Sequence, residues 1–292
     1  MTNHPEIGRV VFLDGPGDLP MIEITTPWST AEIHLHGATV THFQKKGEQP
    51  MLFLSKFSRF EKGVPIRGGI PVIFPWFGKP ADKPGQHGFV RERLWAVKEV
   101  LSPSDGSVFV RLLLPDVGES PLCPGALVEY VVGISEQLTV ELVVTNDSGR
   151  ALEFENCLHT YFAVGDIAAV SVSGLQGLEY LDAVADFAVV KDNAPAIRVD
   201  QEVDRVYLNS THTTEIRDEQ WKRVIRVEKE NSRSTVVWNP WIAKSKRMQD
   251  YGDDEYLQMI CVESGNVRTD RISLPPGQMN SLKVRLTSQA LG

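Results

Sequence analysis

Apolar and polar positions alternate with a period of two through much of the chain, in short runs separated by turn residues. Ala31–Leu35, Val108–Leu114, Ala126–Ile134, Leu138–Thr145 and Leu152–Leu158 read as strands on this pattern. Ser135–Leu138 has the length of a hairpin connection between two of them. Arg223–Glu228 and Ser234–Trp238 are expected to form a second hairpin across Lys229–Arg233, and Ser281–Leu286 is the last alternating run. Met259–Val262 is a continuous apolar run followed by Ser264-Gly265-Asn266, so it predicts a buried strand that ends on Glu263. Helical periodicity is scarce, with at most one or two turns at Ser55–Glu61. Residues 1–20 are expected to be irregular, with a turn at Asp14–Asp18. The fold class that follows is all-β, a large antiparallel β-sandwich forming one domain over residues 1–292. Two β domains divided near residues 120–125 are the alternative.

Composition narrows the partners. The 23 glycines and 18 prolines punctuate the apolar runs instead of gathering in one linker, which favours many strands joined by turns. The net charge of −8 and the lack of a dense basic block argue against nucleic acid, so an anionic ligand needs a local cluster of arginine or lysine. Cys123, Cys157 and Cys261 are odd in number and lack CxxC spacing, which suggests neither a disulfide framework nor a zinc knuckle. No run reaches the length of a membrane helix and the first residues lack a signal-peptide pattern, so a cytoplasmic protein without a membrane partner is expected.

Several residues carry candidate chemistry. Glu263 at the end of a rigid strand suits a general base, and His159 in Phe154–Phe162 sits in a similar strand context. Together they could move two protons on one small substrate, and a neighbouring carboxylate would favour the imidazolium form. Each is also an ordinary residue type at a strand end. Arg67-Gly68-Gly69 places a guanidinium beside two residues without a Cβ, where a ligand can approach the backbone. Arg91 and Arg93 share a face with Phe89 if the segment is extended, and Arg67 with Arg91 could form a fork for phosphate or carboxylate. Surface ion pairs account for the same arginines equally well. Asp204 shares a strand face with Glu202, either to accept hydrogen bonds from sugar hydroxyls or to pair with a basic neighbour. Trp76, Phe77, Trp95, Tyr161, Phe162, Trp238 and Trp241 are aromatic faces suited to a pyranose ring or to a sandwich core. Glu32-x-His34-x-His36 has metal-ligand spacing, but the cupin pattern it resembles wants a carboxylate where Val40 and Thr41 stand. Phosphate-loop, dinucleotide-binding and serine-elbow motifs do not occur.

The ordered set of segments is similar to the aldose 1-epimerase (galactose mutarotase-like) superfamily, and within it to the glucose-6-phosphate 1-epimerase, or hexose-6-phosphate mutarotase, group. The carrying segments are Arg67–Pro75, Gln86–Arg91, Leu158–Phe162, Glu202–Tyr207, Val237–Trp241, and Asp250–Tyr256 leading into Cys261-Val262-Glu263. The resemblance implies a supersandwich fold and interconversion of the anomers of a hexose 6-phosphate without cofactor or metal. It assigns His159 as general acid and Glu263 as general base. It sets Arg67, Gln86 and Arg91 around the substrate and its phosphate, and Asp204 on sugar hydroxyls. Lys244 and Lys246 are further candidates for the phosphate. A monomer is expected. The competing expectations are a non-catalytic sugar-binding module on the same fold, and a metal enzyme using His34, His36 and His42.

Overall fold

Strand alternation dictates most of what the computed structural model, which describes residues 8–291, contains. One eight-stranded antiparallel sheet runs, in order, Val170–Ser173, Thr214–Asp218, Arg223–Glu230, Met279–Ala290, Leu138–Asn146, Ala126–Ile134, Val108–Leu113 and Ala96–Leu101. Its central strands bury every second residue, as the sequence pattern requires. Ile134 pairs with Leu138 across the expected hairpin.

A second eight-stranded sheet runs Ala188–Lys191, Glu179–Asp182, Val203–Tyr207, Ser234–Asn239, Met259–Asn266, Asn156–Leu158 and Val72–Ile73, with Tyr161–Ala163 also paired to Met259–Asn266. The strands Arg9–Asp14, Pro20–Thr25, Ser29–His34 and Thr39–Lys45 form a smaller four-stranded sheet. One hydrophobic cluster, from Ile22 to Leu286, joins residues of these three sheets and of a further two-stranded one, Leu152–Phe154 with Ile272–Leu274. Met259–Asn266 is buried along its whole length because both of its faces are covered, which is why its sequence is a continuous run and not an alternation.

Several expectations are corrected. Glu263 does not end its strand: Ser264-Gly265-Asn266 continue it, paired to Asn156–Leu158, so turn-like residues serve here inside a buried ladder. Arg223–Glu230 and Ser234–Asn239 are strands but not a hairpin. The first pairs with Thr214–Asp218 and Met279–Ala290, the second with Val203–Tyr207 and Met259–Asn266, so the connection carries the chain from one sheet to the other.

Leu152–Leu158 is two strands. Leu152–Phe154 pairs with Ile272–Leu274, whereas Asn156–Leu158 joins the second large sheet. Ser55–Glu61 is not helical. The Ser55 hydroxyl accepts from Phe57 N and donates to Glu255, and the Ser58 hydroxyl accepts from Arg67 N, so local side-chain bonds compete with a helix. The N-terminal segment is strand from Arg9 to Asp14, and residues 1–7 lie outside those described. Residues 120–125 connect Val108–Leu113 and Ala126–Ile134, which are neighbours in one sheet.

Register on the second large sheet is pinned from its core side. Leu158, Phe162, Val237, Ile260 and Val262 are fully buried in the main cluster, each contributing about 1.5–3 kcal/mol of burial. A one-residue slip would exchange these side chains for those of the opposite face, so the arrangement of that face is held by core packing.

Candidate active site

The opposite face of this sheet carries the site. Leu158 pairs with Ser264 and Tyr161 with Cys261, so the register runs unshifted through the gap between the two short strands and sets His159 directly across from Glu263. Glu263 in turn lies opposite Val236, and Val236 opposite Val206. One step along, Tyr161, Cys261, Trp238 and Asp204 form a parallel row. Residues two apart on a strand share a face, so these two rows together make a floor.

His159 Nε2 stands 3.4 Å from Glu263 Oε1. The imidazole lies flat on the Tyr161 ring, with centroids 4.7 Å apart and an interplanar angle of 10°. Trp238 meets it edge-on. On the other side of the carboxylate, the Cys157 thiol donates to Glu263 Oε2 at 3.5 Å. Above the floor is a cavity of about 560 Å³, lined by His159, Glu263, Asp204 and Trp238, among others, and walled by cations from the loops.

Those loops explain how Arg67, Gln86 and Arg91 reach the cavity. Arg67 donates from Nε and Nη2 to Asp250 Oδ2 at 3.1 and 3.0 Å, and from Nη1 to the Tyr161 hydroxyl at 3.1 Å. Its two glycines serve the protein and not a ligand: a Cβ on Gly69 (φ +65°) would lie 2.2 Å from Val40 O. Arg91 sits in a 3-10 turn, Val90–Glu92, and not in an extended strand. Its Nη2 donates to the Gln86 carbonyl at 2.8 Å and its Nε is buried without a partner. The Gln86 side chain is exposed on the cavity wall. Asp204 is 3.4 Å from Lys244 Nζ, which also pairs with Glu202 at 2.9 Å and stands over Trp238. Asp204 is therefore ion-paired, as one of its two expected roles has it, and it also lines the cavity. Lys246 is exposed and does not line the cavity.

Reasoning from sequence overlooked four contributors. Asp250 holds Arg67, although its segment was singled out without a role. His87 closes the 78–87 loop: its amide donates to Gly78 O at 2.7 Å and its Nδ1 accepts from Gly78 N at 3.1 Å. Arg268 lies in a turn after the Glu263 strand, stacks over Phe187 at 4.4 Å and has a buried Nε without a partner. Glu155, between the two halves of the divided strand, accepts from the amides of Phe77 and Arg268 and so ties both loops to the sheet. Arginine in a loop gives no periodic signal, so only the fold could bring Arg268 to the cavity.

The electrostatics differ from the expectation for His159. Burial first, then the nearby Arg91 and Arg67 charges, push the imidazole well below its ordinary value despite the adjacent carboxylate. Burial, then Asp204, pushes Glu263 well above its own. Both shifts run toward the neutral forms, a protonated carboxyl and an unprotonated imidazole. His87 is lowered well below its ordinary value by burial and then by Arg91, His159, Arg67 and Arg268, and the three arginines line the same cavity. Arg91 itself is pulled down to about 10 by burial and by Arg67. The cavity is a local positive field in a chain of net charge −8.

The expected histidine metal site is not assembled. His36 Nε2 bonds the Val64 carbonyl at 2.8 Å, His42 Nε2 bonds the Thr30 hydroxyl at 3.2 Å, and His34 packs against Phe60. Of the aromatic candidates, Phe77, Tyr161 and Trp238 line the cavity, whereas Phe162 and Trp95 belong to the core.

Gly88 is the tightest joint of the loop that carries His87 and Arg91. It has φ +69°, and a Cβ there would lie 1.8 Å from Phe74 O. Gly88→Ala is expected to destabilise the protein by roughly 3 kcal/mol or more. A lowered urea midpoint at unchanged slope is the readout, and an unchanged midpoint would contradict the prediction.

The model of the family described as aldose 1-epimerase matches residues 20–287. A protein of Cenchrus ciliaris named "Putative glucose-6-phosphate 1-epimerase" is 36% identical over 258 residues, covering 85% of this chain and 78% of that one. One of the same name from Escherichia coli (strain K12) is 36% identical over 255 residues, covering 85% and 83%. The crystal structure of a "putative mutarotase (YeaD)" from Salmonella typhimurium superposes with a TM-score of 0.87 at 29% identity, over 99% of this chain and 96% of that one. A "galactose mutarotase-like protein" from Clostridium acetobutylicum shares the fold, with a TM-score of 0.74 at 15% identity over 97% and 98%. The expected galactose mutarotase-like sandwich is thus the observed one.

Proposed function

This chain belongs to the aldose 1-epimerase family and is an isomerase of the mutarotase type, and we propose that it interconverts the α- and β-anomers of a hexose 6-phosphate, D-glucose 6-phosphate first. The observation that carries this reading is the contact between His159 Nε2 and Glu263 Oε1 on the floor of a cavity walled by Arg67, Arg91 and Arg268. The names of the relatives point the same way.

Glu263 takes the proton of the C1 hydroxyl while His159 gives one to the ring oxygen, and the C1–O5 bond breaks. The open-chain aldehyde turns about C1–C2 and presents its other face. Ring closure returns both protons by the reverse route. Arg91 and Arg268, which have no carboxylate partner among the described residues, take the phosphate, with the remaining N–H groups of Arg67. Asp204 and the Gln86 amide receive sugar hydroxyls, and Trp238 faces the ring. A dianion among these arginines cancels their push on His159. The shared proton can then move from Glu263 to the imidazole, which is the distribution that ring opening needs. Phosphate binding thereby prepares the acid and the base together.

The pair works with one proton between its two members. It gains a second below the depressed imidazole value and loses the last above the raised carboxyl value. The rate should therefore follow a broad bell in kcat/KM. Its acid limb should lie below the ordinary imidazole range and its alkaline limb well above the ordinary carboxylate range. A rate that rises through pH 6.5 as a lone imidazole loses its proton would contradict this assignment.

The test of function is anomer exchange of glucose 6-phosphate followed by NMR magnetisation transfer, with unphosphorylated glucose alongside. Exchange well above the buffer rate for the phosphate ester alone is the expected result. Exchange at the buffer rate with every sugar would favour a binding module on this fold.

A further inference from the structure

The floor of the site brings together three groups whose combined chemistry general acid–base catalysis does not use. Cys261 shares its strand face with Glu263, two residues away, and faces the same floor as His159. The Cys261 sulfur, a carboxylate oxygen of Glu263 and an imidazole nitrogen of His159 all lie within 4.8 Å of one another, and all three residues are buried. We propose that these three side chains form a site for a thiophilic divalent cation of the Zn²⁺ type, and that its occupancy shuts the enzyme off.

The geometry suits such an ion closely. Tetrahedral zinc with bonds of about 2.0–2.2 Å to nitrogen and oxygen has a nitrogen–oxygen edge of about 3.4 Å. The observed separation of His159 Nε2 and Glu263 Oε1 is 3.4 Å, so two ligands stand in place. The edges to a sulfur ligand should be about 3.6 Å, so the thiol must approach by roughly 1 Å at most. Mixed nitrogen, sulfur and oxygen donors select zinc and its neighbours over magnesium or calcium, which take oxygen. His159 and Glu263 line the cavity while Cys261 is fully buried, which leaves the fourth position facing the cavity. Thiolate and carboxylate together balance the charge of a dication. Cys157 is a separate thiol, on the far oxygen of Glu263 and outside this group of three.

An ion held there occupies both members of the proposed acid–base pair, so it competes with the sugar. That consequence rests on the anomer-exchange reading, whereas the site itself does not. The test uses the full chain, stripped with a chelator and titrated with Co²⁺ as a spectroscopic stand-in and with Zn²⁺ in the exchange assay. Native protein and Cys157→Ala should both develop a thiolate-to-Co²⁺ charge-transfer band, and Cys261→Ala should not. Micromolar Zn²⁺ should lower native exchange at least tenfold, competitively with glucose 6-phosphate and reversibly by chelator. Cys261→Ala should need at least tenfold more Zn²⁺ to halve its own metal-free rate. Should Cys261→Ala fold poorly, Cys261→Ser keeps the volume and should also lose the band. No band in native protein, or a band that persists without Cys261, would overturn the site. A band without inhibition would overturn the shut-off. Absence of exchange in metal-free native protein would instead refute the proposed function, with the spectrum still deciding the site.

Discussion

Glu263→Gln is expected to lower kcat for anomer exchange by about 10³-fold, within the usual span for a positioned acid or base, with little change in KM. The substitution keeps the shape of the side chain and removes only its capacity to accept a proton. Stability should not fall. The carboxyl is 1% exposed and already raised by burial, so a neutral amide is accommodated at least as well. His159→Ala should cost a similar factor, and the double variant should be hardly slower than either single one, because the two groups act on one ring opening. Stacking on Tyr161 makes His159→Ala the less clean probe, since it leaves a gap against that ring. Magnetisation transfer on folded Glu263→Gln is the deciding measurement, and near-native turnover would remove Glu263 from the base role.

Arg91→Ala should raise KM for glucose 6-phosphate by about 10²-fold, the scale of a lost charge-assisted hydrogen-bond pair. Arg91 is chosen because its only acceptor among the described residues is the Gln86 carbonyl and it sits beside Arg67, so a bound anion relieves a repulsion present in the free protein. Removing it should leave the fold intact. Arg268→Ala should act in the same direction, since Arg268 stacks on Phe187 and has no carboxylate partner among the described residues. Arg67→Ala is different: it strips Asp250 of a two-bond partner and should also cost on the order of 2 kcal/mol in stability. Steady-state comparison of the two sugars separates these outcomes. Equal efficiency of the native protein on glucose and glucose 6-phosphate would refute the phosphate assignment.

Much of this site was legible before the fold was known. The Met259–Val262 run pointed to Glu263 and the Phe154–Phe162 segment to His159, whereas the paired glycines after Arg67 make room for protein backbone and not for the ligand expected there. What was misread shares one cause. Ser264-Gly265-Asn266 has the composition of a turn but lies in a ladder closed by Asn156–Leu158, about one hundred residues earlier. Lys229–Arg233 has the length of a hairpin loop but carries the chain between sheets.

The sequence by itself determined that the chain is built of strands, which face of each is apolar, and which acid, imidazole and arginines are candidates. Side-chain alternation is local, and a strand declares its buried face within a few residues. Only the tertiary structure decided which strands are neighbours, that His159 stands opposite Glu263, that Asp250 clamps Arg67, and that Arg268 joins the cavity. It also decided the direction in which each member of the pair is shifted. Burial together with the Arg91 and Arg67 charges outweighs the adjacent carboxylate at His159, and those are properties of groups far apart in sequence that meet only when the sheet forms.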